Sequence, residues 1–154
     1  MRAALWPFLS LLLLAGGVEA QPSRYNCNHS SWSSDASFSS TMTVQTMKED
    51  RSQCSISGLP QQYSPSTSYQ ITVQTEIGRE LAYKLVVSAG SLTSGGERQS
   101  DTCRNMDQKV QQQTFEWVSP STGMGTVTVK ALCGDDKNMF LASSVSCYSV
   151  AQSE

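Results

Sequence analysis

Residues 114–133, TFEWVSPSTGMGTVTVKALC, alternate apolar and polar side chains on both sides of a break made by Pro120, Gly123 and Gly125. A period of two belongs to a strand with one face in a core and one in water, because successive side chains leave opposite faces. Phe115 and Trp117 form one apolar run, and Val127, Val129, Ala131 and Cys133 form the next. The stretch therefore reads as two antiparallel strands sharing a core face. Trp117 is expected in that core rather than on a ligand platform. Pro120 ends the first strand and removes a donor that would otherwise invite edge pairing.

The same period recurs. Tyr69, Ile71 and Val73 alternate with Ser68, Gln70, Thr72 and Gln74, and Leu81, Tyr83, Leu85 and Val87 alternate with Ala82 and Lys84. Phe38, Met42 and Val44 share one parity in SFSSTMTVQT. SGLPQQYSPSTS and EIGRE supply turn chemistry between runs. No segment joins helical periodicity to helix caps. The expected fold is all-β, an antiparallel β-sandwich of about seven to nine strands, with a small barrel as the other arrangement. Residues 88–113 lack a clear pattern, and a loop of that length is uncommon. They hold a further short strand, or form a surface excursion stapled by Cys103.

Residues 1–20 have the form of a secretory signal: Arg2, the apolar run LWPFLSLLLLAGGV, then small residues before Gln21. The run is shorter than the roughly 20 apolar residues a spanning helix needs. The polar end CYSVAQSE lacks a lipid-anchor tail. The expectation is a secreted, extracellular protein, with residues 21–154 as a single domain and no membrane insertion. The formal net charge is −2, and no basic stripe favours a nucleic-acid partner or lysis of anionic membranes.

Five cysteines, Cys27, Cys54, Cys103, Cys133 and Cys147, read in that compartment as a disulfide framework of two bridges and one odd thiol. No C-x-x-C occurs and His29 is the sole histidine, so no zinc site is expected. The odd cysteine is either a buried free thiol or a link to another chain, giving a disulfide-linked dimer. If GDDKN turns the chain after Cys133, the residues opposite Cys133 lie near Met139 and Phe140. A Cys133–Cys147 bridge would then need an irregular return strand. Asn28-His29-Ser30 is a glycosylation sequon, expected to be used and to mark a surface.

Three stretches together resemble the reeler domain family: LPQQYSPSTSYQITVQ, YKLVVSAGSL, and CRNMDQKVQQQTFEWVSPSTGMGTVTVKAL. They are similar to that family's Y-x-P strand start, its core strand, and its cysteine, F-x-W-x-A-P strand and G-x-V-x-F-x-A return. The resemblance runs from about Leu59 to Leu132, with Cys27 standing where an early family cysteine would. It implies a β-sandwich with a Cys27–Cys103 bridge. Ser66 departs from the family's Gly after the Pro, Met106-Asp107 from a Thr-His pair, and Cys54, Cys133 and Cys147 have no counterpart. Family members occur in matrix and guidance proteins, in secreted invertebrate defence proteins, and fused to ferric reductases. The chain shows no haem-bearing membrane segment that would carry over the reductase context.

Reactive groups are sparse. His29 sits inside the sequon, Asp135-Asp136 in a turn and Glu116 on an outward strand position, so no catalytic residue is expected. GDDKN lacks calcium-loop spacing and carries Lys137, so neither a metal nor another cofactor is expected. Loops on a rigid sandwich commonly carry recognition. The candidates here are Glu97, Arg98, Asp101, Arg104, Asp107 and Lys109. The expected function is a non-catalytic extracellular recognition or adhesion module, matrix-associated, with a protein or glycan ligand. The alternatives are a defence protein that binds microbial surfaces and, further off, a small carboxylate hydrolase.

Overall fold

Among the described residues the alternating runs become twelve strand segments in two facing sheets. The computed structural model describes residues 22, 26–28, 32, 37–40, 43–50, 52–75, 78–122, 125–135 and 138–148. The strands are β1 (Ser37–Ser40), β2 (Thr43–Glu49), β3 (Ser55–Ser57), β4 (Gln62–Tyr63), β5 (Ser68–Gln74), β6 (Leu81–Val87), β7 (Ser91–Ser94), β8 (Glu97–Ser100), β9 (Cys103–Val110), β10 (Gln112–Val118), β11 (Thr126–Gly134) and β12 (Met139–Tyr148). The larger sheet runs β1-β2-β12-β11-β6-β9-β8, with β4 also on β12. The smaller runs β3-β5-β10-β7. Pairing is antiparallel except where β2 and β4 lie parallel to β12.

This is the sandwich the period predicts, and the additional segments are short. The polar stretch 88–113 is not a bare loop: it holds β7, β8, β9 and the start of β10. The run through Phe38 and Val44 is divided between β1 and β2, which pair with each other. The proposed signal, residues 1–20, lies outside the described residues.

Register brings Tyr69 opposite Trp117 and Ile71 opposite Phe115, so one face of the smaller sheet is apolar. It packs against Tyr83, Leu85, Val87, Val127, Val129, Ala131 and Cys133 of the larger. Trp117 is core, as its parity predicts. Tyr69 stacks on it and Tyr63 meets it edge-on, both at 5.5 Å between ring centroids. Its indole Nε1 donates to Ala89 O at 3.0 Å. A side chain at Gly90, where φ is +82°, would lie 2.5 Å from that Nε1, so glycine alone fits there.

Strand β6 departs from the simple alternation. All seven of its residues are buried, Lys84 included, because its outer face is also covered. Trp32 packs there with Val86, Cys103, Leu132, Met139 and Leu141, and Cys27 lies beside them. A strand near the middle of a sheet can be dry on both faces when another segment crosses it. Here the crossing segment is the N-terminal one. Lys130 Nζ donates to Trp32 O at 2.6 Å, and Cys27 is bonded to Cys103.

The second bridge joins Cys54 to Cys133. Cys133 faces Phe140, and Gly134 faces Met139, as the GDDKN turn predicts. The two bridges leave out Cys147, whose backbone pairs with Thr126 and Gln62.

Candidate binding surface

The binding candidates lie on the β8–β9 hairpin, and the sequence explains why it stands there. Gly95 and Gly96 both have positive φ. A side chain at Gly95 would come within 2.4 Å of Thr114 O, so the turn from β7 to β8 can run against β10 only with glycine. From that turn β8 continues as the last strand of the larger sheet. Glu97, Arg98 and Gln99 are exposed on it, and charge on an edge strand opposes stray sheet pairing.

The hairpin tip is tied down. Arg98 Nη2 meets Asp101 Oδ1 at 2.5 Å. The backbone N–H of Val87 donates to Thr102 O at 3.0 Å, and that of Leu92 to Asp101 O at 2.6 Å. The Cys27–Cys103 bond then fixes the start of β9, with Cα atoms 5.7 Å apart. Asn28 is exposed beside that bond, and its backbone N–H donates to Asn26 Oδ1 at 3.0 Å. A glycan at Asn28 would therefore rise next to the hairpin. His29 and Ser30 of the sequon lie outside the described residues.

The six candidates do not act alike. Arg104 is turned inward, where Nε, Nη1 and Nη2 donate to Leu92 O, Gly96 O and Thr93 O at 2.9, 3.2 and 2.7 Å. It fastens β9 of one sheet to β7 of the other. Asp107 is exposed and accepts from Asn105 Nδ2 at 3.1 Å. Alternation places Asp107 and Lys109 on the face of Asn105, which Glu97, the cross-strand partner of Asn105, shares. The surface thus consists of Glu97, Asp107 and Lys109 on one face, with the Arg98–Asp101 pair at the tip.

Sequence reasoning missed two residues here. Lys84, 2% exposed, and Asn105, 1% exposed, are opposite each other on β6 and β9. Burial pushes the Lys84 amine below its usual range, partly opposed by the nearby Asp107 carboxylate. The available signal was a lysine inside the otherwise apolar strand LAYKLVV.

Elsewhere the described surface is milder. The outer face of the smaller sheet is Ser, Thr and Gln, with Thr72 and Thr114 hydroxyls 3.1 Å apart. Glu116 there accepts from Ser68 and Thr93 hydroxyls at 2.6 and 2.7 Å, and these donors hold its carboxyl below the usual range. Asp135 pairs with Arg79 and accepts from Asn138 N at 2.8 Å. Asp136 lies outside the described residues. A groove of about 410 Å³ opens between β3 and β12, lined by Ser55, Ile56 and residues 142–145. Among the described residues no cluster of three or more His, Cys, Asp or Glu side chains could hold a metal ion, and no helix is long and apolar enough to cross a membrane.

No protein-family model matches the chain, and no curated protein matches it significantly in sequence. Solved structures do match in fold. The chain is similar to the human F-spondin reeler domain in two crystal structures. One gives a TM-score of 0.58 at 16% identity, over 68% of this chain and 95% of that one. The other gives 0.53 at 16% identity, over 63% and 86%. A crystal structure of the Reelin-N domain of F-spondin gives 0.60 at 16% identity, over 68% and 92%. The chain has a reeler-like fold, in agreement with the resemblance found in its sequence.

Proposed function

We propose that this protein is a non-catalytic extracellular recognition module that holds a protein or glycan partner on its β8–β9 edge. The observation that carries the reading is the rigid display of charge on that hairpin. Glu97, Arg98, Asp101, Asp107 and Lys109 stand on a frame fixed by the Cys27–Cys103 bond and by the Arg104 clamp. Rigid placement matters because immobilising side chains on binding costs about 0.5–1.5 kcal/mol each. Two long-range disulfides support an oxidising compartment. The mixed charge of the edge suits a partner of mixed charge better than nucleic acid or an anionic membrane. We assign the odd thiol to Cys147, the one cysteine outside the two bridges, as the residue through which a disulfide-linked dimer would form.

The test is retention of the glycosylated protein on immobilised matrix proteins, host cell surfaces and microbial cell walls. A variant reversing the edge, Glu97→Lys with Asp107→Lys, should lose at least tenfold in affinity for whichever surface retains the wild type. Thr114→Ala, on the opposite sheet, should bind like wild type. Equal retention of all three proteins would reject the hairpin as the binding face. Retention confined to microbial walls would replace matrix adhesion with defence as its use.

A further inference from the structure

Strand β12 is paired with β11 from Met139, opposite Gly134, to Cys147, opposite Thr126. Its other edge is covered only at the ends. There β2 pairs with Met139, Phe140 and Leu141, and β4 pairs with Cys147 and Tyr148. Between β2 and β4 the chain leaves the larger sheet, forms β3 in the smaller one, and returns. Among the described residues no strand lies on this edge from Ala142 to Ser146. At the usual rise of a strand, Leu141 and Cys147 stand about 20 Å apart.

The backbone N–H of Asp50 donates to Leu141 O at 3.3 Å, so Leu141 turns its peptide groups towards β2. The ladder to β11 runs without a bulge, and alternate residues of a strand point those groups to opposite neighbours. Ser143 and Val145 therefore turn their N–H and C=O groups into the gap. Among the described residues no hydrogen bond reaches them. The groove of about 410 Å³ opens along this gap, lined by Ser55, Ile56 and residues 142–145. Val145, 57% exposed, is the one large hydrophobic residue so open to solvent among the described residues.

We propose that the gap receives a short, uncharged, extended segment of a partner protein as an added strand of the larger sheet. Backbone groups set at strand spacing along an edge are met by the backbone of another strand, the basis of recognition by strand addition. The gap also sets the segment's length. β2 and β4 close both ends, so a longer strand collides with one of them, and about four or five residues fit. A second copy cannot enter by its own β12, which carries β2 and β4 on the edge it would offer. A protruding loop or a free end of another protein can.

The lining sets the chemistry of that segment. It is Ser, Ile, Ala and Val, with no charged residue, so a charged side chain entering it would lose water and find no counter-ion. Ala142 is core and Ile56 packs against the same core, and together they offer contact to one aliphatic side chain. An edge meant for solvent is normally blunted by charge, proline or a bulge, as β8 is by Glu97 and Arg98. Ser143, Ser144 and Val145 carry none of these. The rim is fixed beforehand, which lowers the ordering cost of binding. Ser146 Oγ donates to Pro60 O at 2.5 Å, and Cys54 is bonded to Cys133.

The experiment is amide hydrogen exchange, read by NMR on the secreted, glycosylated protein with and without a capped peptide, Ser-Val-Ser-Val-Ser, at millimolar concentration. In the free protein the N–H groups of Ser143 and Val145 should exchange at least roughly tenfold faster than those of Ala142 and Ser144, which face β11. The peptide should slow Ser143 and Val145 by roughly tenfold once most of the protein is bound. The fully N-methylated peptide, and one with lysine for valine, should leave them unchanged. Val145→Lys, at an exposed site, should keep the fold and abolish the slowing. Val145→Pro should do the same at the backbone, since the N–H it removes faces the gap and not β11. Glu97→Lys with Asp107→Lys, on the far edge of the sheet, should respond like wild type. Protection of Ser143 and Val145 in the free protein, or no slowing with the valine peptide, would overturn the proposal. Slowing that grows with protein concentration alone would overturn it in favour of a second copy. Equal slowing by the N-methylated peptide would overturn strand addition and leave an apolar pocket.

Discussion

Cys54 is bonded to Cys133 across the core, joining the residue just before β3 in the smaller sheet to β11 in the larger. The other bridge holds the N-terminal segment on the outer face through Cys103. The two should therefore fail differently. Chain-entropy arguments give about 2–5 kcal/mol for a long-range bridge. For Cys54→Ala with Cys133→Ala, the expected result is a loss of about that size in urea unfolding, felt by the whole sandwich. For Cys27→Ala with Cys103→Ala, we expect a smaller global loss and faster proteolysis near Asn26, because the covering segment is released first. Equal global losses with unchanged proteolysis would contradict this division.

Ser66 has φ of +50°, a left-handed conformation that costs a non-glycine residue roughly 1–2 kcal/mol. Its backbone N–H donates to Pro120 O at 3.1 Å, so the turn is held in place despite that cost. Ser66→Gly should stabilise the fold by about 0.5–1 kcal/mol net of glycine's greater unfolded freedom. It should raise the melting temperature by a few degrees. An unchanged or lower melting temperature would show that the serine side chain contributes more than its backbone strain costs.

Burial pushes the Tyr83 phenol up to about 12 from its usual 10.0. Its hydroxyl donates to Val110 O and Gln111 O, at 2.8 and 2.7 Å. Between about pH 10 and 12 the unfolded chain loses this proton before the folded one, so stability falls as pH rises through that window. Below about pH 10 the contribution is complete and constant. Tyr83→Phe should cost about 1–3 kcal/mol at neutral pH by stripping two carbonyls of their donor. It should also flatten the alkaline slope in unfolding measured across pH. An unaltered slope would assign that pH dependence to other groups.

The sequence was most legible where one face of a strand is wet. The parity of Phe115, Trp117, Val127 and Val129 placed all four in the core. The reading was least complete where a remote segment covers a second face. Nothing within LAYKLVV names Trp32 or the Cys27–Cys103 bond as the cover of its outer side, so Lys84 stood only as the polar member of an alternating run. Likewise Arg104 lies in a polar stretch between Asp101 and Asp107, but its parity turns it inward to carbonyls contributed by β7. Residue type located the charged surface, and tertiary contacts divided it into exposed and structural members.

That division makes Arg104 the residue through which hairpin and frame can be separated experimentally. Its guanidinium serves three carbonyls through three separate nitrogens, a fork a lysine cannot reproduce. Arg104→Lys should keep the charge, lose about 1–3 kcal/mol by leaving acceptors unserved, and free β7 from β9 locally. Hydrogen exchange should then quicken at the N–H of Leu92, which donates to Asp101 O at 2.6 Å, with the core strands β5 and β11 still protected. If the hairpin is the binding edge, affinity should fall through a faster off-rate, since the exposed charges remain but are no longer held. Unchanged exchange at Leu92 would mean that the turn ties alone hold the hairpin, and Arg104 would then be expendable to both fold and binding.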